Sequence, residues 1–178
     1  MKLEIEVNVP EAKVKEILKD IVILIDSREK VNQHITDYFT ANNIKFKEHK
    51  LEFGDYSFMV PANEYWQQDI YFTNHILIER KNSLEELSGN FSADRLRLEN
   101  EFAAIYDKKV KLYVLIENAT LNDMITGNYK TDYNKNAFTG SFLSFQDRYN
   151  FVTKFIPNNK TGFLIHNICR YYFRNLIK

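Results

Sequence analysis

The 178-residue chain carries 24 Lys and Arg against 24 Asp and Glu, so its net charge of zero weighs against binding nucleic acid by bulk charge alone. With 44% apolar and 27% charged residues, its composition is that of a soluble globular chain, long enough for one domain with a full core, and excludes disorder. Its apolar runs fall short of the roughly 20 residues that cross a bilayer, and its single cysteine, Cys169, excludes a disulfide scaffold and fits a reducing, intracellular compartment.

Residues 1–7 alternate charge and apolarity and lack the uninterrupted apolar core of a signal peptide. Residues 10–20 read as a short helix with Pro10 near its start. Residues 21–25 form a continuous apolar run ended by Asp26, the pattern of a strand buried on both faces of a parallel or mixed sheet. Charge then crowds at Asp26, Arg28, Glu29 and Lys30. Strand ends gather sites in α/β folds, which makes Asp26 a candidate, although a solvated loop explains the same residues. Residues 31–41 are helical, with Ile35, Tyr38 and Phe39 at three and four spacings. Asn42 and Asn43 stop that helix, and 44–47 begin a strand path.

The chain is organised around residues 51–81. Residues 51–56 and 75–81 read as strands, separated by a turn at 61–63 and an aromatic excursion over 63–72 that extends the hairpin, covers a sheet edge or stacks on a ligand. On a strand, Glu79 and Lys81 leave the same face and Arg80 the other. If the strands pair, Asp55 reaches the patch of Glu79. Two carboxylates and an ammonium suit a divalent metal, a water and a phosphodiester, because carboxylate oxygens hold Mg²⁺ and the ion polarises phosphate. Lys81 would orient the water and offset developing charge.

Further on, Ser83 and Glu86 have the spacing of a capping box. Residues 90–94 interrupt, and Arg95 opens a helix with Leu96, Leu98, Phe102 and Ile105 facing inward. Residues 111–117 read as a core strand ending in Glu117. Residues 118–136 are polar, a loop or broken helix. Residues 138–154 fit a helix capped by Thr139 or Ser141, 162–166 a last strand and 167–177 a last helix, with Cys169 buried. Residues 148–178 carry Arg148, Lys154, Lys160, Arg170, Arg174 and Lys178 and no acid. That basic end either faces a phosphate backbone or is an ordinary solvated surface.

Three segments in order, Val22-Ile23-Leu24-Ile25-Asp26-Ser27-Arg28-Glu29, Leu51-Glu52-Phe53-Gly54-Asp55-Tyr56 and Ile78-Glu79-Arg80-Lys81-Asn82-Ser83-Leu84, resemble the nuclease domain shared by XPF, Mus81 and archaeal Hef, the ERCC4 domain. The resemblance is strong over residues 22–117 and looser beyond. It implies an α/β, restriction-endonuclease-like core in which helices flank a central mixed β-sheet. It also implies a single domain over 1–178, with core motifs in 21–117 and a C-terminal, possible dimerisation part in 138–178. Carried over, Asp26, Asp55 and Glu79 would be the acidic, metal-holding centre for Mg²⁺ or Mn²⁺, with Lys81 the catalytic lysine. Arg28, Glu29, Arg80 and Arg95 would support the site or approach the DNA backbone.

The implied activity is metal-dependent endonucleolytic hydrolysis of DNA, structure-selective on branched or flap substrates. The implied partners are DNA and a second copy or a related subunit, with no membrane, and the expected location is intracellular, cytoplasmic for a bacterial or phage-encoded protein and nuclear for a eukaryotic one. The departures are Phe53 before the glycine, the long 63–73 segment, Asp94 where a glycine precedes the arginine in the family, and Asn118 where a glycine follows the glutamate. No tandem helix–hairpin–helix module follows, which implies a stand-alone domain assisted by a partner. The competing expectation is a non-catalytic DNA-binding or dimerising scaffold subunit with a decayed site.

Overall fold

Apolar runs with charged ends set the strands, and stripes at three and four spacings set the helices. The computed structural model describes residues 9–177. In chain order the elements are α1 (Glu11–Ile17), β1 (Val22–Ile25), α2 (Gln33–Ala41), β2 (Lys45–Glu48), β3 (Tyr56–Val60), β4 (Ile70–Tyr71) and β5 (Ile76–Lys81). They continue as α3 (Leu84–Ser92), α4 (Arg95–Asp107), β6 (Lys111–Glu117), α5 (Leu121–Thr126), α6 (Lys135–Tyr149), β7 (Val152–Ile156) and α7 (Thr161–Leu176). The architecture is α/β, a mixed central sheet flanked by helices. By contacts the chain divides into two compact units, Met1–Leu77 with Gly162–Lys178, and Ile78–Thr161.

In the first unit β1 is central. It pairs in parallel with β2, Val22 opposite Lys45, and antiparallel with β3, Ile25 opposite Tyr56. β4 adds to β3 by pairing Met59 with Tyr71 and Val60 with Ile70. β3 is buried throughout, which its run Tyr-Ser-Phe-Met-Val permits because the one polar side chain, Ser57, donates to the Ile76 carbonyl at 2.8 Å. The aromatic excursion supplies β4 and a packing cluster. Phe58 and Phe72 stack at 4.2 Å, Phe173 of α7 meets both edge-on, and Trp66 meets Phe173 at 5.7 Å. Each such pair adds about 0.5–1.5 kcal/mol beyond area burial.

In the second unit β6 and β7 run parallel, Tyr113 opposite Val152 and Glu117 opposite Ile156. Helices α3, α4 and α6 bury Phe91, Phe102, Phe138, Phe142 and Phe145, with Phe91 and Phe145 at 4.8 Å. α5, within the segment read as a loop or broken helix, starts from a capping box. The Thr120 side chain accepts from the Asp123 N–H, and the Asp123 carboxylate accepts from the Thr120 N–H.

Residues 51–55 are not strand: the chain turns through Gly54 at φ +69°, a conformation an L side chain rarely adopts, and β3 begins only at Tyr56. The helix read over 138–154 runs instead from Lys135 to Tyr149, capped by the Asn134 side chain and not by Thr139 or Ser141. It stops where Asn150 takes φ +49°, and the chain re-enters the sheet as β7. Residues 162–166 are the first turns of α7 and not a strand. Leu96, expected inward, is 72% exposed, whereas Leu98, Phe102 and Ile105 are buried as expected. Cys169 is buried. The readings of residues 1–7 and of Lys178 lie outside the described residues.

Candidate active site

In the first unit, Asp26 follows directly on β1 and is 1% exposed. Its N–H donates to the Asp55 carbonyl at 2.8 Å, and its carbonyl accepts from the Glu29 N–H at 3.0 Å. Its Oδ1 accepts from the Arg28 N–H at 2.9 Å and from Arg28 Nε at 2.6 Å, and its Oδ2 accepts from the Leu51 N–H at 2.7 Å. Arg28 Nη2 then donates to the Leu51 carbonyl at 3.0 Å. Asp26 and Arg28 therefore clamp both backbone groups of Leu51, and the Asp26 backbone fixes that of Asp55. The segment that delivers the half-buried Asp55 is pinned at both ends to the end of β1. Asp26, Arg28, Glu29 and Asp55 come together in this way.

Burial alone pushes the Asp26 carboxyl up. The hydrogen bonds from the Arg28 side chain, the Leu51 N–H and the Arg28 N–H outweigh it and hold the group below its ordinary value. A carboxyl lowered by folding contributes stability above its unfolded pKa, about 3.9, and that contribution fades as pH falls through the lower folded value. Urea titrations from neutral pH downward are therefore expected to show wild type losing stability below about pH 4. Asp26→Asn, already weaker at neutral pH, should show a flatter acid limb. Parallel acid limbs for the two proteins would remove this role from Asp26.

In the second unit, β5 presents Glu79, Arg80 and Lys81 in alternation. Lys81 Nζ lies 2.7 Å from Glu79 Oε1, with the two side chains 7% and 10% exposed, as expected of two residues on one strand face. A second carboxylate reaches the same ammonium, Glu86 Oε1 at 3.6 Å. It arrives through the cap of α3: Ser83 Oγ accepts from the Glu86 N–H at 3.3 Å, and Glu86 Oε2 accepts from the Asn82 N–H at 2.9 Å. Sequence spacing marked Glu86 as a capping residue and missed that the same turn carries it to Lys81. On the opposite face Arg80 Nη1 donates to Glu117 Oε2 at 2.9 Å, with both groups almost fully buried. Arg95 instead braces α6, donating to Ser141 Oγ at 2.9 Å with its guanidinium 5.3 Å from the Phe145 ring centre.

Among the described residues no group of three or more His, Cys, Asp or Glu is gathered to hold a metal ion. Mg²⁺ asks for less, since it is held through one or two carboxylates and keeps several waters. Glu79 and Glu86, converging on Lys81, are hard oxygen donors of that kind and number. Each of these glutamates has one oxygen engaged by a nitrogen donor, Glu79 Oε1 by Lys81 and Glu86 Oε2 by the Asn82 N–H, whereas Asp26 has both oxygens engaged. The donor set of the second unit thus fits a divalent cation in chemistry.

The sequence pattern of the family described as ERCC4 domain matches residues 25–168. No curated protein matches the chain. Among solved structures the chain is similar to XPF from Aeropyrum pernix, at 15% identity and a TM-score of 0.62, covering 87% of this chain and 66% of that one. It is also similar to XPF from Aeropyrum pernix in complex with DNA, at 14% identity and a TM-score of 0.61, covering 86% of this chain and 66% of that one. The chain thus spans just under two thirds of these structures, and at such identities the likeness is one of fold. Among the described residues no helix is long and apolar enough to cross a membrane.

Proposed function

Because the chain belongs to the ERCC4 domain family, we propose that it is a Mg²⁺- or Mn²⁺-dependent DNA endonuclease that hydrolyses phosphodiester bonds in branched or flap DNA. The observation that carries this reading is Lys81, a buried ammonium 2.7 Å from the Glu79 carboxylate at a strand end. Withdrawing such a pair from water costs several kcal/mol, and apolar residues of similar volume commonly serve stability as well or better. Packing gives no reason for the pair; phosphodiester chemistry does.

Glu79 is assigned to hold the metal, and the family resemblance assigns Asp55 the same role in its own segment. When bound, the ion supplies Lewis-acid polarisation of the scissile phosphate and neutralises its charge. Lys81 donates a hydrogen bond to the attacking water and faces the charge that develops on the phosphoryl oxygens. The water oxygen bonds to phosphorus as the P–O3′ bond breaks, leaving a 3′-hydroxyl and a 5′-phosphate. Asp26, with both carboxylate oxygens engaged by the chain, positions the Asp55 segment, and Arg28 and Glu29 complete that turn. Arg80 supports β5 through Glu117, and Arg95 braces α6. Zero net charge leaves DNA affinity to local surfaces, so a second copy or a related subunit is expected to duplicate them. The similarity to an XPF structure in complex with DNA supports DNA as the ligand.

The test is cleavage of labelled duplex, single strand, 5′ and 3′ flaps, fork and four-way junction with Mg²⁺, Mn²⁺ or EDTA, beside Asp55→Ala. Metal-dependent cutting that Asp55→Ala abolishes, strongest on a flap or junction, is the expected result. Binding without cutting under either metal would move the assignment to a non-catalytic scaffold subunit.

A further inference from the structure

The first unit contains a cavity of about 310 Å³ that has no part in the site above. Four cations line it, Lys15, Lys19, Arg170 and Arg174, with His166 beside them and one carboxylate, Glu11. Among the described residues Glu11 pairs with Arg174 at 3.2 Å, while Lys15, Lys19 and Arg170 have no carboxylate partner. Arg174 Nε is buried and finds no hydrogen-bond partner among the described residues. The rest of the lining is apolar at Val14, Leu18, Ile21 and Ile44 and polar at Asn42 and Asn43.

These features select a ligand. A surplus of cations around a partly enclosed space calls for an anion, and two guanidiniums offer planar donor forks that match phosphate oxygens better than a single carboxylate uses them. The apolar lining residues and the two asparagines call for a ligand with a body beyond its charged group. The volume, near the lower end for small-molecule sites of roughly 300 Å³ upward, suits one nucleotide. Lys15, Lys19 and the rest of the α1 side precede residue 25, and Arg170 and Arg174 follow residue 168, so most of the cavity's charge lies outside the span matched by the family pattern. We propose that this cavity binds a small phosphate monoester of mononucleotide size, either free or at the end of a DNA strand. The proposal does not rest on the nuclease reading.

Equilibrium titrations in EDTA, where metal-dependent cleavage does not enter, test it with dTMP, a 5′-phosphorylated oligothymidine and the same strand ending in a 5′-hydroxyl. The phosphorylated strand is expected to bind about tenfold tighter than the hydroxyl strand, the difference one charge-assisted phosphate contact supplies. Inorganic phosphate should compete, and the double variant Lys19→Glu/Arg170→Glu should lose the preference. Binding of dTMP without the strand identifies a free ligand, and binding of the strand without dTMP a DNA end; either supports the site. Equal affinity for both strand ends together with no binding of dTMP, a phosphate preference that survives the double variant, or competition by an acidic peptide and not by phosphate would overturn it. Phosphate competition on the wild-type chain decides the question even if the double variant does not fold.

Discussion

Lys81→Met is expected to slow single-turnover DNA cleavage by on the order of 10²–10³-fold, about 3–4 kcal/mol of transition-state stabilisation. The substitution keeps the length of the side chain and removes the ammonium that lies 2.7 Å from Glu79 and 3.6 Å from Glu86. It also leaves a buried carboxylate without its partner, a loss of about 3–5 kcal/mol in stability where the pair is fully buried. The two effects separate in the double variant Glu79→Gln/Lys81→Met, which removes both charges. Its unfolding midpoint in urea should return toward wild type while cleavage stays lost. Recovery of activity along with stability would make Lys81 a folding residue and nothing more.

Glu117→Ala should be destabilising by up to about 3–5 kcal/mol, because it removes the carboxylate 2.9 Å from the Arg80 guanidinium in a site where the two side chains are 5% and 2% exposed. Removing both ends, as in Arg80→Met/Glu117→Leu, should be close to neutral, since the desolvation of each charge disappears with the attraction between them. Chemical denaturation of the three proteins reads this directly. A single variant as stable as the double would mean that water or another group already serves Arg80. The pair sits on the face of β5 opposite Glu79 and Lys81, so the double variant also shows how much cleavage depends on the strand's position and how much on its charges.

The charged triplet on β5 was legible because strand alternation fixes which side chains share a face, and Glu79 and Lys81 lie together as that rule requires. The partners of that triplet were not legible. Glu86 arrives through a helix cap and Glu117 from another strand, and neither distance is a property of local sequence. The segment 51–55 alternated like a strand, but Leu51 gives its N–H to the Asp26 carboxylate and Gly54 breaks the pleat, a tertiary bond overriding a local pattern. The end of α6 was signalled by Asn150, a residue type that tolerates the left-handed conformation it adopts, yet continuing aromatic spacing concealed it. In α7 the apolar run at 162–166 gave no period of its own. The helix shows only in the longer stripe Ile165, Cys169, Phe173 and Ile177, all buried and four apart, which a boundary drawn at residue 167 cuts in two.

The chain has a single tryptophan, and it lies in the first unit: Trp66, mostly buried, donates through Nε1 to the Pro61 carbonyl at 2.7 Å and packs its ring edge-on to Phe173. Its emission is therefore an optical label for one unit alone. Fluorescence follows the seating of α7 on the aromatic cluster, while Ile78–Thr161, rich in Phe and Tyr but lacking tryptophan, stays dark to excitation at the red edge of the absorption band. Read beside circular dichroism, which counts the helices of both units, that one indole makes the order in which they melt directly observable.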